Sequence, residues 1–377
     1  MTVTLKKGLC LLLGLLLLLS AAPAAFAEGE ESGGAAQPEE PVYSVLREEE
    51  ISQLIEDFLT ENNIWRPGIG IGFLYTATGE EWYYNGDKLF YSASLYKVPL
   101  LMCVSSMVAR GELDQDAEIK GFSLTQMEEA ILVVSNNGFA HMLMDYFWKS
   151  GRECRSEWPA LAGMENDELP ERFYSYSDFT PRFMTRVLYT LYQNPEQYPK
   201  MIDFMKQAAP GKYFRYSLED RYEIAQKLGY YERYRHTAGI IYTENPIIVT
   251  YMTKDIGPHG RYSAALAELL TEYARTLDAR LREQQEAERA RREEAERLRA
   301  EEEARRAQAE AERLRAEAEE RARAEAETAA AAAASARREQ TRRLVTLGGA
   351  AGALLAAGTA AGLIVRRRKR KKSEAEP

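Results

Sequence analysis

Between Arg261 and Leu347 the chain contains no glycine and no proline. Nothing in that stretch interrupts a helix. From Asp278 to Glu327 it is composed almost entirely of Glu, Arg, Ala and Gln, so it cannot bury a core of its own. Leu281, Leu298 and Leu314 are too sparse for the a/d seam of a coiled coil. Glu and Arg at i, i+4 spacing instead predict a solitary charged helix, a stalk over residues 278–343, with a coiled coil as the alternative. About 50 such residues reach roughly 75 Å.

The stalk leads into Leu344 to Val365, an apolar stretch without a charge. At about 1.5 Å per residue it is long enough for one transmembrane helix. The unbroken basic run from Arg366 to Lys372 marks residues 366–377 as a cytoplasmic tail. Gly348 and Gly352, then Gly358 and Gly362, are spaced for close helix packing, the sequence's one suggestion of a homodimer. At the other end, Lys6 and Lys7, the apolar run Gly8 to Leu19 and Ala25-Phe26-Ala27 read as a signal peptide, residues 1–27. An acidic, Gly- and Pro-containing leader follows over 28–41. The expected topology is an exported protein held on the plasma membrane by its C-terminal helix, with its globular part outside. A net charge of −9, with no basic stripe outside the tail, argues against a nucleic-acid partner.

Residues 42–277 have the composition of one globular domain and hold all four Trp and all three His. Cys103, within "LLMCV", reads as a small core residue. Gly68 to Tyr75 and Glu81 to Tyr84 read as two strands joined by a turn. The chain then enters Ser94-Leu95-Tyr96-Lys97 and an apolar run, Val98 to Val108. Residues i and i+3 share a helix face, so Lys97 Nζ can approach Ser94 Oγ. His141, His236 and His259 lie in no nucleophile-elbow sequence, and no G-x-S-x-G occurs. A lysine whose pKa is lowered by burial and nearby positive charge can serve as the base instead.

Ser94-x-x-Lys97 is followed by Ser135-Asn136-Asn137 after an apolar helix, then by Lys227-Leu228-Gly229 in the first of three successive strand-like runs. In this order the motifs resemble those of the penicillin-recognising serine hydrolases, within them the class A β-lactamase-like group, over about residues 45 to 277. The resemblance implies an α+β fold: a five-stranded antiparallel sheet flanked by helices, plus an all-α lobe. It implies Ser94 as nucleophile, Lys97 as base, and Ser135 as proton carrier to the leaving nitrogen with help from Lys227. Asn137 would hold the substrate amide, Gly229 would line the site, and the backbone N–H groups of Ser94 and Tyr230 would form the oxyanion hole. The implied substrates are β-lactams or the D-Ala-D-Ala-like amides of peptidoglycan stem peptides, with no cofactor and no metal.

The chain departs from the family pattern in three places. Asn136 replaces the commoner Asp, and Leu228 replaces the hydroxyl residue that binds the substrate carboxylate, a role Arg233 or Arg235 would have to assume. His236-Thr237-Ala238 is a rival third motif, one strand late. No E-x-x-L-N occurs; Glu165, Glu168 and Glu171 are the available carboxylates. A catalytically weak wall-binding or sensing module that keeps the fold is therefore the alternative expectation.

Overall fold

The computed structural model describes residues 42–151 and 154–372. The expected signal peptide, the leader up to residue 41 and the tail beyond 372 lie outside the described residues. Strand β1 (Ile69–Tyr75) and strand β2 (Glu80–Tyr84) form the expected hairpin, with Tyr75 opposite Glu80. Near the other end of the domain, β3 (Ile224–Tyr231), β4 (Tyr234–Ile241) and β5 (Ile247–Lys254) run as successive antiparallel strands rich in Ile, Val, Tyr and Thr. The sheet order is β2-β1-β5-β4-β3, which leaves β3, with Lys227, on an edge.

Helices cover both faces of this sheet, so β1 is buried along its whole length. On one face lies α5 (Pro181–Gln193), which follows α1 (Glu48–Glu61), α2 (Lys97–Ala109), α3 (Leu124–Val133) and α4 (Asn137–Lys149) in the chain. Helix α5 approaches β1 so closely that a Cβ on Gly72 would lie 2.1 Å from Thr185 Oγ1, which explains a glycine inside that strand. Helices α2 to α4 form the helical lobe, closed by Trp158, Phe173, Phe179 and Phe183 packed mostly edge to face. Cys103 is buried in this core, its thiol 3.4 Å from the Cys154 carbonyl oxygen.

The other face of the sheet is covered by the first turns of the final helix, α6 (His259–Lys372). Its inner stripe, Ala267, Leu270, Ala274, Leu277 and Leu281, is buried at helical spacing. Asp278, at the start of the charged composition, is buried too. Its Oδ1 accepts from Tyr75 Oη (2.7 Å) and Asn245 Nδ2 (2.8 Å). The compositional boundary at 277/278 is therefore not a joint: one helix is both the wall of the domain and the charged segment that follows. Past Leu281 the helix is solvated and carries i, i+4 pairs such as Arg292–Glu288, Arg306–Glu302 and Arg343–Glu339. Leu298 and Leu314 are exposed on it. The C-terminal part of this helix is long and apolar enough to cross a membrane, judged by length and composition.

Candidate active site

Ser94 sits in a 3-10 turn, Ala93–Tyr96, that runs directly into α2 at Lys97. The turn is fixed from three sides. Tyr91 pairs with Asp178 in a short two-stranded ladder, and Ser92 N–H donates to the Ser177 carbonyl (3.1 Å). From the sheet, His236 Nε2–H donates to the Tyr91 carbonyl (2.8 Å) while its Nδ1 accepts from Thr253 N–H (3.1 Å). Because a carbonyl only accepts and an N–H only donates, these partners fix the tautomer. Burial pushes the His236 pKa down to about 4, so the ring stays neutral. Ala93 takes a left-handed φ of 48°, a strained conformation just ahead of the serine.

Gly229 lies against this turn. A Cβ there would be 3.0 Å from the Ser92 carbonyl oxygen and 3.0 Å from His236 Cδ2. The missing side chain lets the edge strand and the serine turn meet, with no room to spare. This places Lys227-Leu228-Gly229, on β3, beside the serine; His236-Thr237-Ala238 lies on β4, one strand further in.

Lys97 is fully buried, and its Nζ contacts Ser94 Oγ (3.1 Å), Ser135 Oγ (3.1 Å), the Ser135 carbonyl (2.7 Å) and Asn137 Oδ1 (2.6 Å). The two shortest contacts are to oxygens that can only accept. They use the two N–H bonds of a neutral amine and leave its lone pair for a serine hydroxyl proton. Burial pushes the Lys97 pKa down to about 8. Lys227, equally buried, donates to Ser135 Oγ (2.9 Å) and to the Leu228 carbonyl (3.2 Å). Its pKa is pushed down to about 7, first by burial and then by the charge of Lys97.

Ser135 is held between the lysines in a left-handed conformation, φ 59°, after α3 ends. The unusual Asn136 has a local explanation: its Oδ1 accepts from Phe139 N–H (3.0 Å) and caps α4. A neutral Asn fulfils this role as well as Asp does. Five of the expected site residues, Ser94, Lys97, Ser135, Asn137 and Lys227, are thus joined by direct hydrogen bonds, and Gly229 abuts them. Tyr230 directs its exposed side chain to Arg235, whose guanidinium lies 4.9 Å from the ring centroid.

Two other groups of expected residues are engaged elsewhere. Arg233 is bound to both carboxylate oxygens of Asp255 through its Nε and Nη2 (Nε to Oδ1 2.6 Å), so it is committed. Arg235 has no such partner among the described residues; it faces Tyr230 across the strands, one diagonal from Leu228. Glu165, Glu168 and Glu171 are all exposed, and Glu168 Oε2 accepts from Glu165 N–H (2.6 Å). The loop nearest the serine turn is closed by Arg172 on Asp178 (2.8 Å), and between those two residues it has no carboxylate. Ala93 was not expected at the site, and His236 was considered only as part of the rival third motif, not as a support of the serine turn. Their signal was positional, Gly229 opposite His236 in register, and spacing along the chain does not reveal it.

A flanked antiparallel sheet, a helical lobe and a Ser-Lys-Ser-Lys set gathered beside one edge strand have the layout of the penicillin-recognising serine hydrolases. Residues 47–277, more than half of the chain, match the β-lactamase enzyme family, and the chain belongs to that family. Similar solved structures include a β-lactamase from Desulfarculus baarsii, 16% identical, covering 60% of this chain and 98% of that one with a TM-score of 0.51. A β-lactamase from Xanthomonas campestris pv. campestris is 17% identical, covering 61% and 99%, with a TM-score of 0.50. At such identity the likeness shows the fold alone. No curated protein matched by sequence.

Proposed function

We propose that the chain is an exported, membrane-tethered serine acyl-enzyme protein acting on β-lactams or D-Ala-D-Ala-like amides. The single observation that carries the reading is Lys97, whose two acceptor-only partners leave its lone pair for Ser94. In this reading Ser94 Oγ attacks the carbonyl carbon as its proton passes to Lys97 Nζ. The backbone N–H groups of Ser94 and Tyr230 steady the oxyanion. The C–N bond then breaks, and Ser135, its Oγ within reach of both lysines, gives its proton to the leaving nitrogen and takes up in its place the one that Lys97 received from Ser94. Asn137 holds the acyl-side amide, and Arg235 stands in for the hydroxyl missing at Leu228.

Among the described residues deacylation lacks a base in this arrangement, because the loop has no carboxylate between Arg172 and Asp178, Asp178 is engaged by Arg172, and the three nearby glutamates are exposed. The acyl-enzyme is therefore long-lived, as in a penicillin-binding protein rather than an efficient β-lactamase. An inactive binding module is disfavoured: two buried lysines on one oxygen are costly to retain without a chemical use. The export signal, the span from Leu344 and the stalk would hold this site outside the membrane. From Leu281 to Leu344 a straight helix reaches roughly 95 Å.

The test is to follow a penicillin adduct and the turnover of a chromogenic cephalosporin on the same purified protein. The expected result is rapid adduct formation that outlasts many minutes with little turnover. Fast turnover would assign a deacylating base that this reading lacks, and no adduct would sink lactam chemistry.

A further inference from the structure

Two cysteines remain once Cys10 is set aside with the expected signal peptide, and they meet in the fold. Cys103 is fully buried on α2, the helix that begins at Lys97. Cys154, buried too, opens a short 3-10 turn, Cys154–Glu157, that leads into Trp158. Both are free thiols. The Cys103 thiol reaches the Cys154 carbonyl oxygen (3.4 Å) and is hydrogen-bonded to the Cys154 thiol. That bond between the thiols first, and burial second, push the Cys103 pKa up. The turn is fastened to the end of α2 a second time, by Arg110 on Glu157 (3.2 Å). A lone cysteine in this core would be a small apolar filler. Two in contact, brought together from segments about 50 residues apart in the chain, have a chemistry that fillers lack.

We propose that Cys103 and Cys154 close into a disulfide in oxidising surroundings, a staple that ties α2 to the turn before Trp158. With one pair there is only one connectivity. The export reading supplies the oxidising surroundings, and the lactam chemistry does not enter. The oxidant is a disulfide, either a small molecule or a thiol–disulfide exchange protein. Cys154 lies on the wall of a surface cleft with Leu100, Trp148 and Arg155, so it meets the oxidant first. Its thiolate attacks one sulfur of the oxidant, forms a mixed disulfide and releases the other sulfur as a thiolate. The Cys103 thiolate then attacks Cys154 Sγ, closes the S–S bond and releases the second thiolate. The protons lost by the two cysteines pass to the two released thiolates, so the oxidant takes up two electrons and leaves as two thiols. Burial leaves little Cys103 thiolate in the folded chain, so closure is fastest while the segment is open. The closed loop, residues 103–154, removes conformational freedom from the unfolded chain. It also anchors Trp158, against whose ring Phe173 and Phe179 pack.

The test treats the purified full chain with oxidised glutathione, both folded and through a cycle of denaturation and refolding. Maleimide is then added under denaturing conditions and intact mass is recorded. The expected chain is lighter by two hydrogens, carries no maleimide at Cys103 or Cys154, and yields one linked peptide pair containing both. Its melting temperature should exceed that of the reduced chain by about 5–10 °C, a gain absent in Cys154→Ala. Maleimide on both cysteines in every oxidised sample, a glutathione adduct that Cys103 never resolves, a bond between two chains, or no gain in melting temperature would each overturn the staple. A chain that closes the bond but forms no penicillin adduct keeps the staple and loses the catalytic reading.

Discussion

Lys97 and Lys227 approach the same atom: Ser135 Oγ lies 3.1 Å from one Nζ and 2.9 Å from the other. A hydroxyl oxygen has two acceptor sites and one proton. Lys227 donates to one of them, Lys97 can donate to the other once it has taken up the Ser94 proton, and the O–H is then left for the leaving nitrogen. The same closeness makes two ammonium groups unfavourable, so the pair sheds a proton near neutrality.

The acylation rate should accordingly rise with pH. Lys97 must be neutral to accept the Ser94 proton, and with its pKa lowered to about 8 the rate climbs below that pH and levels above it. Stopped-flow acylation from pH 5.5 to 9.5 measures the limb. Burial sets this limb, and Lys227, whose pKa is pushed down to about 7, is already largely neutral there, so Lys227→Met should leave the limb in place even though it slows the reaction. A limb that moves to higher pH would show that the charge of Lys227 also lowers the Lys97 pKa.

Gly229→Ala adds a methyl 3.0 Å from the Ser92 carbonyl oxygen, next to the serine turn. The turn must retreat from β3 by a few tenths of an ångström, which misaligns Ser94 relative to its donors. Acylation should fall by about tenfold or more, while thermal stability changes little. Unchanged acylation would show that the contact between strand and turn is not what positions the serine.

Leu228→Thr restores a hydroxyl where the substrate carboxylate is expected. Because Arg235 already stands in for that hydroxyl, Leu228→Thr alone should leave acylation by a penicillin nearly unchanged, and beside Arg235→Ala it should raise it by roughly tenfold, the equivalent of one added hydrogen bond of about 1–1.5 kcal/mol. A tenfold gain in the single variant would show that Arg235 does not hold the carboxylate. Kinetics of the single and double variants separate these outcomes.

Asp278→Ala removes the acceptor that Tyr75 and Asn245 share beneath the start of the stalk. Buried Tyr75 and half-buried Asn245 lose their shared acceptor, so the domain should lose about 2 kcal/mol, read by denaturant unfolding. Loss of the neighbouring exposed charges on the stalk, such as Arg292, should cost no more than about 0.5 kcal/mol.

Much of this was legible in the sequence, because it is local. Alternation gives the β1–β2 hairpin, and three β-branched runs give β3 to β5. A serine three residues before a lysine puts both on one helical face. What could not be read depends on register between distant segments. His236 reaches Tyr91 only because β4 is paired with β3 opposite Gly229. Asn136 looks like an altered motif residue but is a helix cap, set by the start of α4. The composition changes sharply at Asp278, whereas the helix and its burial continue to Leu281, because a buried carboxylate with two donors looks like any other acidic residue in sequence.

The most direct measurement is intact mass of the purified protein after exposure to a penicillin, with peptide mapping of the adduct and Ser94→Ala alongside. One penicillin mass on the Ser94 peptide, absent in the alanine variant, is the expected result. No adduct, or one that persists in Ser94→Ala, would contradict the assignment of Ser94 as the nucleophile activated by Lys97.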